Sequence, residues 1–231
     1  MKIYGLQKMT LLDFPGHVAC TVFTGGCNYR CPFCHNYELV DGTAEPLMDE
    51  EELLAFLKKR TGLLDGVAIT GGEPCLSGDL ISFVRRIREM GFPVKLDTNG
   101  CFPDVLEALL SGGLISYEAM DIKNSPERYA ATVGLDRIDL APVERSMALL
   151  RNSGIDYELR TTVVKELHSA DDFRAIGPWI QGAPRYFLQC FTDRDTVPFS
   201  GLSAPSAEEL KTYAEIVRPY VGTVEIRGVE V

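Results

Sequence analysis

The sequence predicts an α/β fold built on a parallel sheet. Three observations lead there. Short β-type runs alternate with amphipathic stretches of about 10 to 15 residues. Capping residues bracket several of those stretches, and each connection is long enough for the right-handed crossover that joins parallel neighbours.

Taken in order, the strands are expected at 18–23, 67–70, 94–96, 115–122, 157–164, 186–188 and 224–226, all runs rich in Val, Ile, Leu, Tyr and Phe. Between them, Leu80, Phe83, Val84 and Ile87 repeat at i, i+3, i+4 and i+7, the stripe of a helix that covers one face of a sheet. Further helices are expected at about 49–59, 103–110, 143–152, 170–180 and 207–217. Asp49 and Ser206 stand as N-caps with Glu soon after, and Gly91 and Gly154 stand where helices stop. Six such units in a chain of this length suit an open sheet or an incomplete barrel, because an eightfold barrel takes about 250 residues. The pattern alone does not choose between them. No repeat or long linker divides the chain, so one domain over 1–231 is expected. A polar loop with Pro and Gly runs from Thr192 to Pro205, and the part from about 192 is a candidate for lid or partner contact.

Composition narrows the function. There are 33 acidic residues against 23 Lys and Arg, a net charge of -10, which disfavours nonspecific binding to nucleic acid. No stretch approaches the ~18 consecutive apolar residues of a membrane span, and Met1 to Gln7 lacks the apolar core of a signal peptide. A cytoplasmic protein without membrane contact is expected. Its 7 cysteines are odd in number and unevenly spread, against a disulfide framework and for thiolates in metal or redox chemistry.

Three of the seven, Cys27, Cys31 and Cys34, lie on the loop 24–36 directly after the first strand. In a parallel α/β fold this is the carboxyl end of the sheet, where sites gather. Gly25, Gly26 and Pro32 shape the turn. Two metal centres suit the sulfurs. A closed zinc site would need a fourth ligand, His35 or a distant cysteine. An iron–sulfur cluster on three cysteines would leave one iron open to a small molecule.

The pattern C-x3-C-x2-C on a Gly-led loop after a strand resembles the radical S-adenosylmethionine (SAM) superfamily. The resemblance implies that Cys27, Cys31 and Cys34 hold one [4Fe–4S] cluster per chain and that SAM chelates its fourth iron, with Phe33 and His35 among the cofactor-binding positions. Val67 to Pro74 ends in Gly71-Gly72-Glu73, similar to the superfamily's GGE motif, whose backbone meets the SAM amino group. Asp97-Thr98-Asn99-Gly100 and Asp121-Ile122-Lys123 resemble the D-T-N-G and D-[LI]-K segments of glycyl-radical-enzyme activating enzymes, and Arg160 resembles the Arg of their fifth strand. Together these assign Asp97, Asn99, Asp121, Lys123 and Arg160 to cofactor binding.

With Asp13-Phe14-Pro15-Gly16 ahead of the cysteine loop, the similarity extends to the longer form of the activators of anaerobic ribonucleoside-triphosphate reductase. It implies a partial (β/α)6 barrel that receives a loop of the partner. The cluster, reduced by flavodoxin or ferredoxin, would pass one electron to SAM. The 5′-deoxyadenosyl radical so formed would remove the α-hydrogen of a glycine. The family's His after the sixth strand has no counterpart in 187–191, and no further cysteine run marks a second cluster. Phe23, Tyr29, Phe33 and Tyr37 are available as an apolar rim, Cys75 and Cys101 as buried small residues, and His168 as a solvated loop residue. The alternatives are an activator of the pyruvate formate-lyase type, a small-molecule enzyme such as a 7-carboxy-7-deazaguanine synthase, and a zinc-stabilised binding module.

Overall fold

A computed structural model describes residues 1–229. The chain begins with β1 (Lys2–Ile3), β2 (Gly5–Thr10) and β3 (Ala19–Thr24), then α1 (Tyr37–Asp41), β4 (Met48–Asp49) and α2 (Glu50–Lys58). It continues through β5 (Gly66–Gly71), α3 (Leu80–Glu89), β6 (Val94–Thr98), α4 (Pro103–Ser111), β7 (Tyr117–Asp121), α5 (Tyr129–Thr132) and α6 (Ala141–Ser153). It closes with β8 (Asp156–Val163), α7 (Ala170–Trp179), β9 (Arg185–Cys190), α8 (Ala207–Val217) and β10 (Thr223–Arg227).

Eight strands form one sheet in the order β2-β3-β5-β6-β7-β8-β9-β10. From β3 onward every pairing is parallel, while β2 runs antiparallel along β3. Neighbours in the sheet follow the chain, as in a barrel, but β2 and β10 are its two edges and the sheet is not closed. This is the partial barrel expected above, with β10 as a seventh parallel strand.

The two faces of the strands differ because successive side chains alternate. Val22, Val67, Ile69, Val94, Leu96, Met120, Leu159 and Leu188 pack outward against Phe83, Ile87, Leu106, Met147, Phe173 and Leu210 of the helices in one apolar core. The inner face instead carries Lys95, Asp97, Asp121, Glu158, Arg160 and Arg227, joined by ion pairs.

All seven expected strands and the six expected helices are present, displaced by at most a few residues. Asp49 and Ser206 both close complete capping boxes, with Glu52 and Glu209. The sequence reading missed β2 because Gln7, Lys8 and Met9 are exposed on an edge and show no apolar alternation. Past residue 192 only the loop to Pro205 stands apart. Helix α8 packs on α7, and β10 pairs with β9.

Candidate active site at the carboxyl ends of the strands

The loop after β3 crosses the end of the sheet and brings Cys27, Cys31 and Cys34 to one cleft, all three as free thiols. The cleft measures about 830 Å³ including its open mouth, in the range of small-molecule sites. Cys31 is buried and burial pushes its thiol up to about 12, while Cys27 and Cys34 are raised less, also by burial. Tyr29 and Phe33 are buried beside them, in an apolar cluster with Tyr129, Val164 and Phe191. Phe23 lies apart, on a neighbouring pocket. Among the described residues no three His, Cys, Asp or Glu side chains converge as a mononuclear site requires. His35 lines the cleft but sends Nε2 to the Thr192 carbonyl at 2.6 Å and stacks on Phe191.

The turn after β5 locks onto this loop back to back. Gly72 N donates to Thr24 O at 2.9 Å and Glu73 N to Gly26 O at 2.7 Å. A Cβ on Gly72 would stand 2.0 Å from the Gly26 carbonyl oxygen, and one on Gly71, whose φ is +116°, 2.5 Å from the backbone of Thr24. The two glycines are thus required by the cysteine loop itself. Glu73 is buried, and its carboxylate accepts from Cys75 N (2.9 Å), Thr98 Oγ1 (2.7 Å) and Asn99 N (2.7 Å). It ties the end of β5 to the end of β6 and fixes Asn99. The Asn99 amide in turn donates to Asn28 Oδ1 at 2.7 Å and lies 4.0 Å from Cys27 Sγ.

Opposite the cysteines, β6, β7 and β8 present a ladder of alternating charge. Lys95 pairs with Asp97. Arg160 reaches Asp97 and Asp121, each at 3.1 Å, and Lys123 Nζ lies 2.9 Å from Asp121. Burial alone would raise the Asp121 carboxyl, but Lys123 and Arg160 beside it outweigh burial and hold it at about 2. Asp97 is lowered in the same way by Arg160 and Lys95 against burial. Asp97, Asn99, Asp121 and Lys123 all line the cleft. Arg160 lies behind it, on a second cavity of the inner face with Asp13, Glu158, Gln189 and Arg227.

Residues 21–174 match the sequence model of the Radical SAM superfamily. The chain belongs to the radical SAM superfamily. A Methanocaldococcus jannaschii protein provisionally named a glycyl-radical enzyme activating enzyme is 30% identical over 98% of this chain and 96% of its own length. The pyruvate formate-lyase-activating enzyme of Clostridium pasteurianum is 33% identical over 43% of this chain and 43% of that protein. Among solved structures, Streptococcus suis SuiB bound to S-adenosylmethionine superposes with a TM-score of 0.69 at 13% identity, covering 90% of this chain and 49% of that one. At that identity the likeness is one of fold.

The residues present fit the superfamily's two groups. Three free thiols on one wall are the donor set of a cluster with an open iron, and the charged groups and bare backbone opposite suit a zwitterionic sulfonium ligand. Other cleft residues gave no signal in the sequence: Val40, Thr70 and Thr162 reach it only through loop and strand geometry. Asn36 donates to Gly71 O at 3.2 Å. Cys75 is buried as expected, and Cys101 is half-buried with Sγ 2.7 Å from Tyr29 OH. His168 corrects the expectation of a solvated residue: it is 4% exposed, because the turn that carries it packs under the end of β7.

Proposed function

We propose that this radical SAM chain is the activase of a glycyl radical enzyme, the target being an anaerobic ribonucleoside-triphosphate reductase. The observation that carries the reading is the meeting of Cys27, Cys31 and Cys34 with Gly71, Gly72, Glu73, Asp97, Asn99, Asp121 and Lys123 in one cleft. When bound there, a [4Fe–4S] cluster on the three thiolates supplies one electron, and SAM the 5′-deoxyadenosyl radical, by which the α-hydrogen of the partner's glycine is removed.

The chain's own residues bind, orient and keep water out. Tyr29 and Phe33 give the cysteines an apolar wall, and Tyr29 N, 3.4 Å from Cys27 Sγ, donates a hydrogen bond to that sulfur. Backbone groups at Gly71 to Glu73 are held in place by the cysteine loop and serve the amino group of SAM. Asp121 stays ionised, so Lys123 and Arg160 keep fixed positions at neutral pH.

An activase reading rather than a small-molecule one is supported by the full-length similarity to the Methanocaldococcus jannaschii protein. Leu11 and Leu12, 69% and 88% exposed, line the inner cavity with Asp13 and Pro15, beside the unclosed side of the sheet. That opening serves the partner's loop, with flavodoxin or ferredoxin as the electron donor. The test is anaerobic electron paramagnetic resonance of the reconstituted, reduced protein with SAM and the reductase of the same organism. A glycyl-radical doublet is expected. 5′-Deoxyadenosine without the doublet would overturn the target and favour a pyruvate formate-lyase-type activase or a small-molecule enzyme.

A further inference from the structure

We infer that His168 is a positioning residue for SAM binding: through the Lys123 carbonyl it fixes the backbone that carries the Lys123 ammonium into the cleft. The inference rests on the radical SAM reading of Lys123. His168 sits in the turn after β8, beneath the turn that follows β7. Its Nδ1 lies 3.1 Å from Val164 N, whose N–H it accepts, so the proton resides on Nε2. Nε2 then donates to Lys123 O at 2.9 Å. The Val164 carbonyl, 3.2 Å from Nδ1, already accepts from Leu167 N and His168 N. Burial lowers the imidazole's affinity for a second proton, which keeps this one tautomer.

One more contact joins the same turns, Asn124 Nδ2 to Leu167 O at 2.9 Å. Asn124 Nδ2 also donates to Thr132 Oγ1 of α5 at 2.8 Å, and Ser125 Oγ donates to Asp172 Oδ1 of α7 at 2.9 Å. Those bonds hold residues 124 and 125. Among the described residues, His168 is the side chain that bonds the Lys123 carbonyl, one residue nearer the cleft. Without it the Lys123 carbonyl would be left without its donor, and the backbone that aims Nζ past Asp121 toward the cleft would lose its anchor.

The test measures SAM dissociation constants on anaerobically reconstituted protein, with iron content and Tm in parallel. In His168→Asn the amide oxygen replaces Nδ1 and keeps the Val164 bond, but the side chain is too short to reach Lys123. In His168→Gln the amide reaches that carbonyl. His168→Asn is expected to weaken SAM binding about 5-fold, the worth of one hydrogen bond, with His168→Gln within about 2-fold of the parent. In a Lys123→Ala background His168→Asn is expected to add almost nothing, because the two residues act through one group.

SAM affinity unchanged in His168→Asn, beside a weakened Lys123→Ala, would overturn the inference and leave the site reading standing. So would an equal loss from His168→Asn in both backgrounds, which marks a merely structural role. Unchanged affinity in Lys123→Ala would overturn the reading of Lys123 and the inference with it. Should His168→Asn not fold, His168→Gln carries the comparison: parental affinity supports the inference, and a loss that persists in the Lys123→Ala background overturns it.

Discussion

At the scale of single residues, the tightest constraint in the site is Gly72. Its missing side chain leaves room for Gly26 O, and the neighbouring Glu73 N–H bonds that same oxygen, so a side chain there has no soft neighbour to displace. Gly72→Val is therefore expected to disturb the cysteine loop before it disturbs SAM. Iron and sulfide content after reconstitution should fall sharply; full cluster content with only weakened SAM binding would contradict this. The sequence alone points to SAM as the reason for this glycine. The cysteine loop's close approach is invisible there, because contacts between segments distant in sequence leave no local pattern.

Glu118 is the second residue of interest. It is fully buried on the helix side of β7, and among the described residues neither carboxylate oxygen has a hydrogen-bond partner. Burial, with Glu73 and Asp97 nearby, pushes its pKa well above the ordinary value, so the folded protein holds it neutral. The unfolded chain releases this proton above about pH 4.3. Folded and unfolded states then differ by one proton, and this contribution to stability is full below that pH and is lost as pH rises toward the folded pKa. Glu118→Leu is expected to stabilise the protein by about 1–2 kcal/mol at neutral pH, by removing an unpartnered buried carboxyl. It should also flatten the fall of denaturation midpoint with rising pH. An unchanged pH profile would show that Glu118 finds a partner.

At the scale of elements, the capping boxes explain why helix boundaries were legible. Asp49 and Ser206 each accept a backbone N–H three residues on, and the Glu at that position returns the bond to the cap. Such pairs are written within four consecutive residues, so sequence displays them directly. Ser206→Ala should cost about 1 kcal/mol, read as a shift in denaturation midpoint with SAM cleavage retained, since α8 lies on the outer layer. The parallel strands were legible for a similar reason: β3 and β5 are nearly continuous apolar runs, and β6, β7 and β8 alternate apolar with charged residues over a few consecutive positions. Edge strand β2, with three consecutive exposed residues, carries no such mark. Among site residues, the three cysteines and the Gly-Gly-Glu turn are dense local motifs. The burial of His168 and the link from Glu73 to Asn99 depend on which strand ends meet, and that is decided by topology.

At the scale of the whole molecule, the unclosed sheet separates two tasks. Outer helices bury an apolar core, which leaves the inner face free to hold charge in fixed pairs. The break between β2 and β10 leaves that face reachable from the side, as the proposed protein substrate would require. The cysteine loop sits at one end of this opening, so removing its thiols should leave the core intact. The most direct measurement is the yield of 5′-deoxyadenosine from SAM, anaerobically and under reduction, for the reconstituted protein and for Cys27→Ala, Cys31→Ala and Cys34→Ala. Product is expected from the parent and none from any variant, each still folded. Product retained by any one of the three, or none from cluster-replete parent, would contradict that expectation.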